Sequence, residues 1–325
     1  MTVEVRNPRA EALALVPRGY GALVLEPSPP AIHEGEYSDD PTSLASFPLG
    51  TRVVSPVSGG DTTWEDFVAD QPHLHRWAQD RWLGPWHRLQ TLPAGFAETR
   101  DILHQIAYFV LSPVRHRANT KIGLRFTMGG FGTPFFGEDA QARLEGSSLV
   151  VQRGHGVERF PVTTIGAACE AMRIEYRPHW FPPFRDQLPP ADPDTALKVD
   201  EEAVAAIAAV FGFGCGVLAE LRTEVPERDR PSLVQIWPEH FDIAIELGDP
   251  EAGNRASYGF SPGDHHHPEP YLYVSAWGAI DRTNPVWNDP HFNGASLPYS
   301  DLLASDDQRS TAFEFFHTAR ALLAI

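Results

Sequence analysis

Hydrophobic positions change their spacing several times along the chain, and each change marks an element. Between Ala97 and Leu111, the residues Ile102, Ile106, Phe109 and Val110 recur at three- and four-residue steps, the period of a helix with one buried face. Ser112-Pro113 is expected to end that helix, because proline has no N–H to donate and biases its predecessor toward extended backbone. Alternation then takes over. Lys121 to Thr127, Gln141 to Glu145, Ser148 to Gln152 and Val157 to Val162 are short segments parted by Gly/Ser or His-Gly turns, and they read as four strands. Thr163 or Thr164 can cap a helix carrying Ile165, Ala168, Cys169 and Met172. A long helix is expected from Val199 to about Arg222. Strands follow near Leu233 to Trp237, Phe241 to Leu247, Arg255 to Phe260 and Tyr271 to Ala276. From Asp307 to Leu323 the helical period returns, with Phe313, Phe316, Ala319, Leu322 and Leu323 on one face.

The first third of the chain is rich in proline. It offers strand candidates at Tyr20 to Leu25 and Arg52 to Val57, then a turn whose Asp61 can cap a short helix through Trp64 and Phe67. Trp77, Trp82 and Trp86 fall at roughly helical spacing until Pro85 breaks the run. Residues 176–195 hold six prolines and form an extended connection, and their aromatics Trp180, Phe181 and Phe184 argue that it packs on the body. Runs of strands broken by a few long helices predict an α+β fold, mostly antiparallel sheet or sandwich with several covering helices. The expected organisation is a core domain over 97–325, with the Pro-rich region 1–96 packed on it.

Charge narrows the partners. With 26 basic and 43 acidic residues the chain carries a formal net charge of −17, a field that repels phosphate backbones and anionic lipid. Nucleic acid is therefore not an expected partner. Ala203 to Ala219 runs 17 residues without a charge, the lower limit for crossing a bilayer. Acidic residues bracket it (Asp200, Glu201 and Glu202 before, Glu220 after) with no positive anchor at its start, so a buried helix is expected and no membrane association. Within it, Gly212, Gly214 and Gly216 fall inside a helical pattern, which suits close helix packing and not a nucleotide loop. The two cysteines, Cys169 and Cys215, sit among small apolar residues, and the N-terminus has no basic patch followed by an apolar run. These features lead to the expectation of a soluble, acidic, cytoplasmic protein.

Several short motifs fall in a recognisable order. They are Trp86, Leu103-His104, Pro113-Val114-Arg115-His116, the Gly130 to Pro134 turn, Phe241-Asp242, Glu269-Pro270-Tyr271 and Leu297-Pro298-Tyr299. In that order they resemble an uncharacterised bacterial family known only as a domain of unknown function. The resemblance covers about residues 86–325 and implies a domain boundary but no chemistry.

Two segments could carry chemistry. In Gly259 to Tyr273, an extended backbone would project His265, His267 and Glu269 to one side. Two imidazoles and a carboxylate suit zinc or iron(II) with open positions for substrate. The spacing resembles the opening of a cupin metal motif, but Tyr271 and Leu272 stand where a cupin needs its glutamate. A polar turn stiffened by Pro268 and Pro270 is the plainer account. In Trp237 to Asp242, a strand would place His240 and Asp242 on one face and Glu239 on the other. Arg115 could bind a carboxylate bidentately, with His116 beside it. The resulting expectation is a domain that binds a small molecule or protein, through Arg115, His116, His240 and Asp242. The alternative is a metal-dependent oxygenase or hydrolase using His265, His267 and Glu269.

Overall fold

Alternation decides which way each strand of the C-terminal half faces. In the computed structural model, Ile243, Ile245 and Leu247 turn to the core, while Asp242, Ala244 and Glu246 turn the other way. The structure describes residues 88–325 except 128, 135–140, 154–155, 182–186 and 324–325. It also describes three short N-terminal strands, Val24–Glu26 (β1), Arg52–Val54 (β2) and Asp61–Thr63 (β3), paired antiparallel in that order. The helix expected through Trp64 and Phe67, and the tryptophans at 77, 82 and 86, lie outside the described residues.

The fold is α+β, as the segment order implies. One antiparallel sheet runs β4 (Arg125–Thr127), β5 (Gly130–Gly132), β6 (Gln141–Glu145), β7 (Ser148–Arg153) and β8 (Gly156–Pro161). The other is built from β9 (Gln235–Trp237), β10 (Asp242–Leu247), β11 (Ala256–Ser261), β12 (Tyr271–Ala276) and β13 (Gly294–Pro298), each paired with the next. The two meet edge to edge. Leu124 and Ile236 exchange both backbone hydrogen bonds at 2.7 Å, which joins the β4 edge to the β9 edge.

The helices are α1 (Phe96–Ile106), α2 (Ser112–Asn119), α3 (Ile165–Ala171), α4 (Glu201–Glu224), α5 (Tyr299–Ala304) and α6 (Gln308–Leu323). Helix α4 packs on both sheets. Its Phe211 ring stands 5.9 Å from Phe131 of β5 and 5.1 Å from Phe241, beside β10. Phe131 and Phe241 complete the trio at 5.2 Å. A Cβ at Gly214 would lie 2.6 Å from Ile243 Cγ2, so β10 approaches closer than a larger residue permits. The Asp200 side chain caps the helix by accepting from Ala203 N at 2.8 Å. Residues Glu201–Arg222 are long and apolar enough to cross a membrane (mean hydropathy 2.1), and 78% of that window is buried inside the protein. By placement it is the core helix.

Pro113 does not end the first helix. A π-helical turn, Ala107–Leu111, links α1 directly to α2, and the Ser112 N–H reaches back five residues to Ala107 O. The missing N–H of Pro113 would otherwise have served the carbonyls of Tyr108 or Phe109. Both carbonyls have side-chain donors instead: Trp180 Nε1 at 3.0 Å and Cys169 Sγ at 3.7 Å. Trp180 and Phe181 thus pack on the body, as expected, while Phe184 lies outside the described residues. Both cysteines are buried, and neither forms a disulfide among the described residues. Ahead of α1, Leu89 N donates to Gln308 Oε1 at 2.8 Å and Gln308 Nε2 returns a bond to Leu89 O at 3.1 Å, tying residue 89 to α6.

Candidate functional site

The far face of the β9–β13 sheet, opposite α4, is polar and aromatic. It floors a cleft of about 940 Å³ walled by α1, the 187–189 segment and the loop after β11. Register explains what stands there. Tyr273 on β12 faces Gly259 on β11, which in turn faces Ala244 on β10. A Cβ at Gly259 would lie 2.5 Å from the Tyr273 ring, so only glycine lets that ring lie flat across the sheet. The Tyr273 hydroxyl thereby reaches Asp242 and donates to its Oδ2.

Asp242 is only 4% exposed, and its Oδ1 has no hydrogen-bond partner. Burial raises its carboxyl above the ordinary carboxylate value, against His240 and the Tyr273 hydroxyl, which favour the charged form. Burial, with Asp242 as a further cause, pushes the Tyr273 phenol well above its usual value. Asp242 is delivered by an unusual turn. β9 stops at Trp237 and residues 238–241 turn back to β10, closed by Phe241 N donating to Trp237 O at 2.7 Å. Phe241 takes φ 54°, a left-handed conformation that costs a bulky residue on the order of 1–3 kcal/mol. Its ring compensates by packing on Phe131 and Phe211 and stacking on His104 at 5.2 Å.

That turn corrects the strand geometry expected for this segment. Glu239, His240 and Asp242 all line the cleft, Glu239 buried and His240 exposed, because residues 238–241 do not alternate as a strand would. His104 joins them from α1. Its Nε2 donates to Pro238 O at 2.9 Å, and burial lowers its pKa to about 4, so the ring is neutral near pH 7 with Nδ1 unprotonated. On the rim, Arg100 is held by Asp101 at 2.8 Å and donates to Pro268 O at 3.1 Å.

The histidine segment is a turn rather than an extended strand. Asp264 Oδ1 accepts the N–H groups of His266 at 2.7 Å and His267 at 2.9 Å, and Tyr271 donates to Oδ2 at 2.8 Å. Burial works to raise the Asp264 carboxyl, but those bonds outweigh it and hold it below its usual value. His265, His267 and Glu269 therefore do not project to one side. His265 and Glu269 are exposed, and His265 lines the cleft mouth with His266. His267 Nε2 lies 2.9 Å from the buried Asp289 Oδ2 while its ring stacks on Tyr271 at 4.2 Å. Among the described residues, no group of three or more His, Cys, Asp or Glu side chains is placed to hold a metal ion.

Arg115 and His116 lie away from the cleft. Arg115 is 1% exposed and donates through Nη1 to Gly123 O, where α2 gives way to β4. Burial lowers its pKa to about 9, with Arg125 adding to the effect. His116 is exposed, its ring edge-on to Trp180 at 5.7 Å. The structure thus brings together His240, Asp242 and His265 of the expected residues. It adds Glu239 and His104, and with them Tyr271 and Tyr273, which carried no chemical role in the sequence.

Among the described residues, the fold is α+β and its two five-stranded sheets frame a polar, acid-lined recess. Comparisons with protein-family models, with curated proteins and with solved structures give no match, and none of them bears on the short-motif resemblance.

Proposed function

We propose that this is a small-ligand-binding protein and that the ligand sits over β10–β12, against Asp242. One observation carries the reading: Asp242 lines a cleft of about 940 Å³, and its buried carboxyl oxygen Oδ1 is left without a partner. Leaving such a group open costs about 1–3 kcal/mol or more, so unpartnered buried polar atoms point to something that completes them. The volume suits a drug-sized molecule, and the walls combine aromatic surface with a few convergent polar groups. The strained Phe241 next to Asp242 agrees with this, since strained backbone clusters at ligand sites. The histidine segment supports the reading as a wall of the cleft. With two buried cysteines outside any disulfide, we place the protein in the cytoplasm.

The test is a thermal-shift screen of a small-molecule library against wild type and Gly259→Ala, which forces Tyr273 off the sheet. Compounds that raise the wild-type Tm are expected, with the shift lost in the variant although the variant is folded by circular dichroism. Stabilising compounds that act equally on both proteins, or no stabilising compound at all, would sink the proposal.

A further inference from the structure

Three polar hydrogens on the floor and wall of this cleft are already committed. Tyr273 donates its hydroxyl proton to Asp242, Tyr271 donates its own to Asp264, and the His104 Nε2 proton goes to Pro238 O. What these groups have left is lone pairs. Two serines of the cleft also accept, Ser261 Oγ from Gly263 N at 3.1 Å and Ser257 Oγ from a tryptophan outside the cleft, Trp277 Nε1, at 3.2 Å, and each keeps its own hydroxyl hydrogen. A ligand that brings donors meets the lone pairs of the tyrosines, His104 and the carboxylates.

Charge narrows the class further. Asp101, Glu239, Asp242, Glu246 and Asp264 line the cleft against a single guanidinium, Arg100. Arg100 is engaged by Asp101, and Glu246 is paired with Arg255 at 2.8 Å. Asp264 is satisfied by neutral donors, which leave its charge in place, and Asp242 Oδ1 has no partner. Trp237, Tyr271 and Phe292 line the same space with aromatic rings, the kind of side chain that attracts a desolvated cation. The net charge of −17 draws cations toward the protein from a distance and repels anions.

Resting on the small-ligand reading, we infer that the cleft selects a small organic cation, an ammonium or guanidinium compound whose positive group docks on the Asp242 carboxylate. An ammonium brings three donors and the charge that a neutral polyol lacks. The unpartnered Oδ1 of a nine-tenths buried side chain, and not the acidic lining alone, fixes where that group goes.

Tryptophan fluorescence, with Trp237 as the cleft reporter, tests this by titration on the intact protein. The cationic probes are spermidine, agmatine and benzylammonium. Benzyl alcohol is the neutral partner of the last, with inositol as a polyol and succinate as an anion. At least one cationic probe is expected to bind, benzyl alcohol at least about tenfold more weakly than benzylammonium, and succinate not at all. Asp242→Asn is expected to weaken the cation about tenfold or more, the size of a lost charge-assisted bond. Added salt should weaken it further. If Asp242→Asn fails to fold, the charged and neutral pair on wild type still decides. Equal binding of benzyl alcohol, or tighter binding of inositol or succinate, would overturn the cation inference and leave the small-ligand reading standing. Failure of all six probes would overturn the inference, while hits elsewhere in the library screen would still uphold the broader reading.

Discussion

The two sheets are alike in strand number, antiparallel order and contact with α4, yet their polar side chains meet different ends. On the β4–β8 sheet, Arg143 is 3% exposed, and Glu145 at 3.1 Å and Gln141 at 3.1 Å answer its guanidinium. Arg159 reaches the same Glu145 at 2.8 Å from β8, across the intervening strand β7. The open group there, the Thr127 hydroxyl, is neutral and costs less to leave unpaired than a carboxylate. On the β9–β13 sheet, Asp242 is equally buried, but its one partner leaves an oxygen open. A buried charge closed by its own sheet is a structural device. A buried carboxyl held half-satisfied beside a cleft is the group that the proposed ligand would complete.

The strongest way to break this comparison is to attack what the sheets share. Phe211→Ala removes the ring between Phe131 and Phe241, and the expected loss is about 3–5 kcal/mol in urea unfolding. Both sheets should still melt together, with tryptophan fluorescence and circular dichroism coinciding. Separate transitions would show that the shared core does not couple them.

A smaller effect distinguishes the sheets by pH. Asp242 has a folded-state pKa raised above its unfolded value, so it contributes stability below pH 3.8 that is lost as pH rises through the folded value. Asp242→Asn should therefore be more stable than wild type at pH 7, with the gap closing toward pH 3.8. His104 slopes the other way. Its pKa falls from 6.5 to about 4, so its stability is present above 6.5 and is lost as pH falls toward 4. Only the difference between variant and wild type isolates Asp242. A gap that widened in acid would refute the buried-carboxyl account.

The smallest changes are expected at the exposed layer of each sheet. Arg159→Ala removes a half-exposed ion pair and His266→Ala an exposed ring at the cleft mouth. Each should shift stability by about 0.5 kcal/mol or less by chemical denaturation. A loss well above about 1 kcal/mol at either site would mean that surface charges hold the sheets.

Periodicity made much of this legible. β6 and β12 have the expected bounds, and α4 and α6 lie within two residues of theirs, because each has several apolar positions at one spacing. β5 (Gly130–Gly132) and β13 (Gly294–Pro298) were not expected, since glycines and three to five residues leave no alternation to read. The helix continued through Pro113 because Trp180 and Cys169, distant in sequence, supplied the donors that proline lacks. At the cleft, sequence spacing paired His240 with Asp242 for the wrong reason, as a strand, when a turn with Phe241 at positive φ brings them together. Tyr273 could not have been picked out locally. Its role depends on Gly259 opposite it on another strand, a long-range pairing that no local pattern carries.

The order of synthesis gives the burial of α4 between two sheets a consequence for the newborn chain. Its first sheet, ending at Pro161, leaves the ribosome before it does, but the second is completed only at Pro298, about 75 residues after Glu224. At roughly 5–20 residues per second that interval is about 4–15 s. Through it, the most apolar segment of the described chain has cover on one side only. The glycine that lets Ile243 approach so closely then has nothing to fill it. Those seconds are when a chaperone has most to hold, and when a slowed ribosome would most expose the helix to aggregation.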